Sequence, residues 1–255
     1  RTQRYHRLRS PVNLLESFPS PSPMERVYYP ETFVADRVEV SGAEAHHLSR
    51  VRRVALGSAI ELFDGRGSVA LGRVEQIDRN RVIVVIEGLK PPRIEPKVRI
   101  TLVTAVPKGE RFDWLIEKAT ELGLARIVPL RTERSVVDPR SGKLDRLRRL
   151  VVEACKQSGR DRLMEIAEPI EWSELLQIGT EDLALIAHPG GLPLAQLGSM
   201  TQATIAIGPE GGFTDQEIEQ ALAQGWQTIS LGPNILRIET AGLAASAALL
   251  ALNPG

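Results

Sequence analysis

A single cysteine, Cys155, is present in 255 residues. That excludes a disulfide within the chain and a thiolate metal cluster. Only four histidines occur, without the paired spacing of a zinc site. Aromatic residues make up 4%. No run approaches the roughly 18 consecutive apolar residues of a membrane span. The most apolar piece, "AGLAASAALLAL" at 241–252, is short and alanine-rich and reads as a buried helix. Formal net charge is zero, which argues against a general nucleic-acid coat protein but leaves room for a local basic patch. A cytosolic protein without structural metal is the default expectation.

What is present is ordinary globular material, 42% hydrophobic and 25% charged, long enough for one large domain or two modest ones. The first 23 residues stand apart, with four arginines against one acid and a Pro/Ser run before Met24. They fit a targeting segment, an upstream extension or a disordered tail. Residues 1–24 are therefore set aside as an extension.

From about Arg26 to Ile94, "RVEV", "AIELFDG", "VALGRVEQI" and "RVIVVIEG" are short strands bounded by glycines, the pattern of a small β-barrel. Between the first two, "EAHHLSRVRRVALG" places Leu48, Val51 and Ala55 at helical spacing, with Arg50, Arg52 and Arg53 mostly on the other side. A proline-rich linker, "LKPPRIEPK", separates this unit (25–92) from a second (97–255). In the second, buried strands "VRITLVTAV" and "RIVPL" alternate with amphipathic helices. Phe112, Leu115, Ile116, Ala119 and Leu122 form one apolar face; Leu144, Leu147, Val151 and Ala154 form another. Further strands fall near 182–187, 204–207 and 228–231, and a long apolar helix from about Thr240 ends the chain. The fold class is α/β with a parallel sheet.

Two loops follow strands of that sheet, where open parallel sheets bind ligands. The first, "GPEGG" at 208–212, precedes a helix whose capping box, Thr214 with Glu217, already satisfies the helix start. Its glycines need another purpose. Phosphate is disfavoured: the spacing matches no phosphate fingerprint, Pro209 removes a backbone donor, and Glu210 puts negative charge at the helix N-terminus. A flat, non-anionic ligand suits better, such as an adenosine or a group with a sulfonium centre. The second loop, "LGPNILRIETA" at 231–241, sets Arg237 and Glu239 two residues apart, on one side if the segment is extended.

"IGPEGGFT" and "LGPNILRIETA", with "HHLSRVRRVALGSAIELFDGRG", "KGERFDWLIEKATELGLARIVPLRTERSVV" and "RLRRLVVEACKQSGR" upstream, are similar to blocks of the SPOUT-superfamily methyltransferases that modify N3 of a uridine in 16S ribosomal RNA. The resemblance runs in order from about Arg26 to the C-terminus. It implies a PUA-like β-barrel for RNA, a C-terminal SPOUT domain with a trefoil knot, S-adenosyl-L-methionine as cofactor, a homodimer, a cytoplasmic setting, and 16S rRNA in the small ribosomal subunit as partner. Carried over, Gly208, Glu210, Gly211, Gly212, Leu231, Gly232, Ile235, Leu236 and Thr240 bind the cofactor. Arg237 stabilises the uridine anion, and Glu239 is a candidate base or orienting group. Arg50, Arg52, Arg53, Lys108, Arg134 and Arg160 are the expected RNA contacts.

Overall fold

The computed structural model describes residues 24–91, 93–137, 144–177 and 183–253. The reading of the first 23 residues lies outside these, as does that of residues 141–143 at the start of the second amphipathic helix.

Five strands build the first unit: β1 (Glu25–Tyr28), β2 (Arg37–Ser41), β3 (Ala59–Phe63), β4 (Val69–Ile77) and β5 (Arg81–Lys90). They pair in the order β1-β3-β4-β5-β2, with β1 parallel to β3 and the rest antiparallel. Alternation sets Val38 and Val40 inward with Ile60, Leu62, Val82 and Val84, as a half-buried sheet requires. Among the described residues β1 and β2 do not pair, so the unit is a curled sheet with two edges rather than a barrel closed by hydrogen bonds. Its helix is also shorter than the spacing suggests. Helix α1 (Gly42–His46) widens into a π-helical turn at His47–Val51, and Arg53, with φ at 52°, turns the chain out of it. The wider turn shifts the register, so Leu48 is buried while Val51 faces solvent.

The second unit is a seven-stranded, wholly parallel sheet. Its strands are β6 (Arg99–Ala105), β7 (Arg126–Arg131), β8 (Glu165–Ile166), β9 (Ile170–Glu171), β10 (Leu183–Pro193), β11 (Gln202–Ile207) and β12 (Gln227–Ser230). The path is β12-β10-β11-β6-β7-β8, with β9 also on β7. Helices α2 (Arg111–Leu122), α3 (Leu144–Ser158) and α6 (Ile238–Leu252) cover one face, where Leu102, Leu115, Leu147, Val151 and Leu249 share a core. Helices α4 (Trp172–Leu175) and α5 (Asp215–Ala223) lie on the other, which holds Val103, Val128, Phe213 and Trp226. The helical spacing read from α2 and α3 thus marks their buried faces. Gly123 closes α2 in the left-handed conformation, φ 90°, a position glycine occupies without strain.

The first unit docks at the edge where the parallel strands begin, beside the C-terminus of α3. Arg26 makes the joint. Its guanidinium donates to Glu61 Oε1 (2.7 Å), to the carbonyls of Cys155 (2.9 Å) and Arg160 (3.1 Å), and to Asp161, and lies over the Phe63 ring. Lys90 also meets Glu61. Burial pushes the Glu61 carboxyl up, but Lys90 and Arg26 outweigh it and hold the carboxyl below its usual range. Cys155 beneath this joint is buried, its thiol pushed up to about 11 by desolvation, the state of a packing residue rather than a nucleophile.

Candidate functional site

The opposite edge of the sheet, where strands end, carries a cleft of about 310 Å³. Two strand ends and an excursion within a third strand form it. After β11 comes the Gly208–Gly212 loop, after β12 the Leu231–Leu236 loop, and from β10 a segment at His188 and Pro189.

The β11 loop turns tightly. Gly212 N–H donates to the Pro209 carbonyl at 2.8 Å, and Gly212 has φ 68°. A Cβ on Gly208 would lie 3.1 Å from the Phe213 ring, so bare backbone lets that ring close the turn. The capping box is present: Glu217 N–H donates to Thr214 Oγ1 (3.2 Å), and Thr214 N–H donates to Glu217 Oε2 (2.8 Å). Glu217 Oε1 also accepts from Glu133 N–H at 3.0 Å, tying the loop after β7 to the same helix start. With that start satisfied internally, the glycine loop is spared capping duty.

The β12 loop is open. Gly232, φ 110°, donates to Ser230 Oγ at 3.3 Å, and Ile235 is 95% exposed. Arg237 is the N-cap of α6, and its exposed guanidinium has no partner among the described residues.

The β10 contribution was not read from the sequence. Ala187 and Leu192 both stand opposite Ile229 of β12, so the four residues 188–191 leave the ladder and return to it. Gly190 supplies a positive φ, 84°, and Gly191 closes the excursion against the β12 backbone. The signal was "HPGG" following a buried apolar run, a third glycine-bearing segment.

Of the expected cofactor residues, Gly208, Glu210, Gly211, Gly212, Leu231, Gly232, Ile235 and Leu236 line one cleft; Thr240 is exposed on α6 outside that lining. Arg237 and Glu239 do not share a side. The helix begins at Ile238, two residues before the expected Thr240, and a helical step turns each residue about 100°. Glu239 is consequently buried against α2, with Arg111 Nη1 3.8 Å from Oε1 and no partner for Oε2 among the described residues. That orientation turns its carboxylate toward α2 and Arg111. Glu239→Gln is expected to keep turnover within about threefold, and a loss of about 100-fold, the contribution of a general base, would contradict this.

The expected RNA contacts also divide. Arg134 donates to the Gly211 carbonyl at 2.8 Å and braces the glycine loop, while Lys108 is exposed on the loop after β6, at the same sheet edge. Arg50, Arg52 and Arg53 are exposed on the curled-sheet unit, Arg52 paired with Glu25 at 3.1 Å. Arg160 is on no exposed face. Its side chain is 9% exposed and binds Glu95 (3.3 Å) and the Gly123 carbonyl (3.2 Å) at the end of α2. Carbonyls left over at a helix terminus draw such a cation inward.

A chain with this parallel sheet, this strand-end cleft and a second unit at the far edge matches two family descriptions: an RNA methyltransferase domain over residues 94–250 and an RNA methyltransferase PUA domain over 40–87. The class is therefore that of the RNA methyltransferases. The ribosomal RNA small subunit methyltransferase E of Synechocystis sp. is 36% identical over 234 residues, covering 89% of this chain and 77% of that protein. The protein of the same name from Neisseria gonorrhoeae, solved bound to S-adenosyl methionine, is 34% identical with a TM-score of 0.85, over 90% of this chain and 98% of that one. A Legionella pneumophila methyltransferase solved with bound SAM is 31% identical, also at 0.85, with the same coverage. The chain belongs to the ribosomal RNA small subunit methyltransferase E family.

Proposed function

We propose that the protein transfers a methyl group from S-adenosylmethionine to N3 of one uridine in the 16S ribosomal RNA of the small ribosomal subunit. The observation that carries this reading is the strand-end cleft, whose glycine loops offer main chain at close range and whose single carboxylate, Glu210, makes it hostile to phosphate. The lining suits the cofactor. Ile207, Leu231, Ile238 and Ala241 give an apolar floor, and Gly208, Gly211 and Gly212 let backbone groups approach an adenosine. Glu210, exposed and beside the helix start, suits a cationic centre. When bound, the cofactor supplies an electrophilic methyl on sulfur.

The protein's own contribution is placement and charge. Uridine N3 is a poor nucleophile until its proton leaves. Arg237, forked, permanently charged and without a protein partner among the described residues, stabilises the anion spread over the neighbouring carbonyl oxygens. Because Glu239 is held toward Arg111, this reading assigns the N3 proton to solvent water rather than to that carboxylate. The homodimer belongs to the same reading, supported by apolar surface left open at Trp114 on α2 and at Ile235. So does the knot, supported by α6 returning from the edge strand β12 to pack on β6 and β11. A cytoplasmic setting follows from the ribosomal substrate.

Mass spectrometry of 16S rRNA nucleosides from a deletion strain tests the reading. Loss of N3-methyluridine at one site is expected, and loss of a ribose methyl instead would overturn it. In reconstituted turnover on undermethylated small subunits, Arg237→Ala is expected to lower kcat about 100-fold, the scale of one removed electrostatic donor, with cofactor affinity kept. Glu210→Ala should instead weaken cofactor affinity about tenfold, as loss of one charge-assisted contact does.

A further inference from the structure

We propose that Arg162 and Arg66, which meet at the seam between the two units, form a fork that binds the phosphodiester backbone of the RNA. This rests on the RNA-modifying function proposed above and places one contact of the nucleic acid on residues that the sequence reading did not single out.

The seam is built around a tight hairpin, residues 64–68. Asp64 Oδ1 accepts from Arg66 N–H (2.7 Å) and Ser68 N–H (2.9 Å). Gly65 and Gly67 hold φ of 74° and 109°. The segment after α3 docks on this hairpin through backbone: Leu163 N–H donates to the Gly65 carbonyl at 2.9 Å, and Arg162 bridges to Gly65 and Arg66. Leu163 and Tyr28 fill the space a Cβ on Gly65 would take.

Gly67 seats the Arg162 guanidinium. The position of its missing Cβ lies 3.0 Å from Nη2 and 3.1 Å from both Cζ and Nε. Three atoms of a flat group at nearly equal distance mean that the group lies face-on. Its face is therefore covered by the α-carbon of Gly67, and its N–H edge remains free. The Arg162 side chain has no acceptor among the described residues and the residue is exposed. Arg66 stands beside it, 58% exposed in its side chain, steadied by the Pro30 carbonyl (3.0 Å) and by Asp64 (3.5 Å).

Of the other exposed arginines of the curled sheet, Arg37 pairs with Glu75 and Arg73 with Glu87, each at 2.6 Å, and Arg81 with Asp78 at 2.6 Å, whereas Arg50, Arg53 and Arg79 have no partner among the described residues. Arg162 is seated on Gly67 without being neutralised. A fixed guanidinium with a free edge matches two phosphate oxygens and has little freedom left to lose on binding. The seam lies at the edge where strands begin. The seven residues of β6 put it roughly 20 Å from the cleft. A contact so far from the reacting base positions the RNA and does not specify it.

The test is binding of a 16S rRNA transcript to the full chain across a salt series, for Arg162→Ala, Arg162→Lys, Arg66→Ala and a control, Arg73→Ala. Arg162→Ala is expected to weaken binding about tenfold near physiological salt. It should also reduce the slope of log K against log salt by about one, the signature of one lost phosphate contact. Arg162→Lys should restore the slope and only part of the affinity, Arg66→Ala should reduce the slope, and Arg73→Ala should do neither. Melting temperature and calorimetric cofactor affinity should be parental in all four. A parental slope in Arg162→Ala would overturn the fork, as would an unchanged slope with a lowered melting temperature. So would a polyglutamate peptide that binds through Arg162 in preference to RNA. Absence of RNA binding by the parent chain would instead remove the proposed function, and the fork with it.

Discussion

Gly191→Ala is expected to abolish cofactor binding: calorimetric titration with S-adenosylmethionine should show affinity reduced about 100-fold or more. A Cβ at this position would sit 2.6 Å from the backbone N and C of Ile229 and 2.7 Å from the carbonyl carbon of Thr228. These atoms belong to β12, and no rotamer change moves them. Either β12 shifts away from β10 or the excursion at residues 188–190 rearranges. Ser230 at the end of β12 and Leu231 after it line the cleft, and His188 and Pro189 line it from the other side, so either adjustment displaces a cleft wall. A displacement of about 1 Å suffices for a loss of that size. The substitution should also cost about 2 kcal/mol of stability, typical of overpacking against fixed backbone. Gly190→Ala separates the effects, since nothing lies within 4 Å of a Cβ there. Its cost is confined to the positive φ, about 1 kcal/mol. Parental cofactor affinity in Gly191→Ala would show that the closed excursion does not shape the site.

The sequence announced much of this cleft and missed one wall. Periodicity exposed the buried faces of α2 and α3 because their apolar residues recur at the helical interval. The surplus of glycine beyond an already capped helix pointed to the β11 loop, and the same residue logic argued against phosphate. The excursion at 188–191 was hidden because it is a register relation between β10 and β12, strands far apart along the chain. Arg237 and Glu239 fall on different sides for a local reason: an i, i+2 pair shares a side in a strand and diverges in a helix, and the helix starts inside the pair. Arg160 looked like a surface cation because nothing in its neighbours shows that the carbonyls ending α2 lie within reach. The π-helical turn at His47–Val51 likewise moved Val51 from the expected buried face into solvent.

Arg26→Ala is expected to be the most destabilising single substitution at the joint between the units, about 3 kcal/mol in chemical denaturation. Removing one partner of a buried ion network leaves the others desolvated and uncompensated, which costs about 3–5 kcal/mol. The lower figure applies because Lys90 still faces Glu61, and Arg93 stands 3.8 Å from Asp161. The same substitution removes three of the ties that hold α3 and the segment after it to the curled sheet, those to the Cys155 carbonyl, the Arg160 carbonyl and Asp161. Thermal unfolding should consequently split from one transition into two as the units lose their coupling. The pH dependence has a defined sign. Glu61 is depressed in the folded state, so its contribution is complete above the ordinary carboxylate range and disappears as pH falls through its lowered value. The parent should lose stability on acidification more steeply than Arg26→Ala, in which Glu61 is less depressed. A variant within about 0.5 kcal/mol of the parent, the usual range for surface changes, would show that Arg26 does not carry the joint.

The site itself is tested most directly by a crystal structure of the protein soaked with S-adenosylhomocysteine, the demethylated product. The nucleoside should lie against the main chain of the Gly208–Gly212 and Leu231–Leu236 loops, with His188 and Pro189 as the third wall. Density for the product anywhere else, with that cleft filled only by solvent, would contradict the assignment of these three segments as the cofactor site.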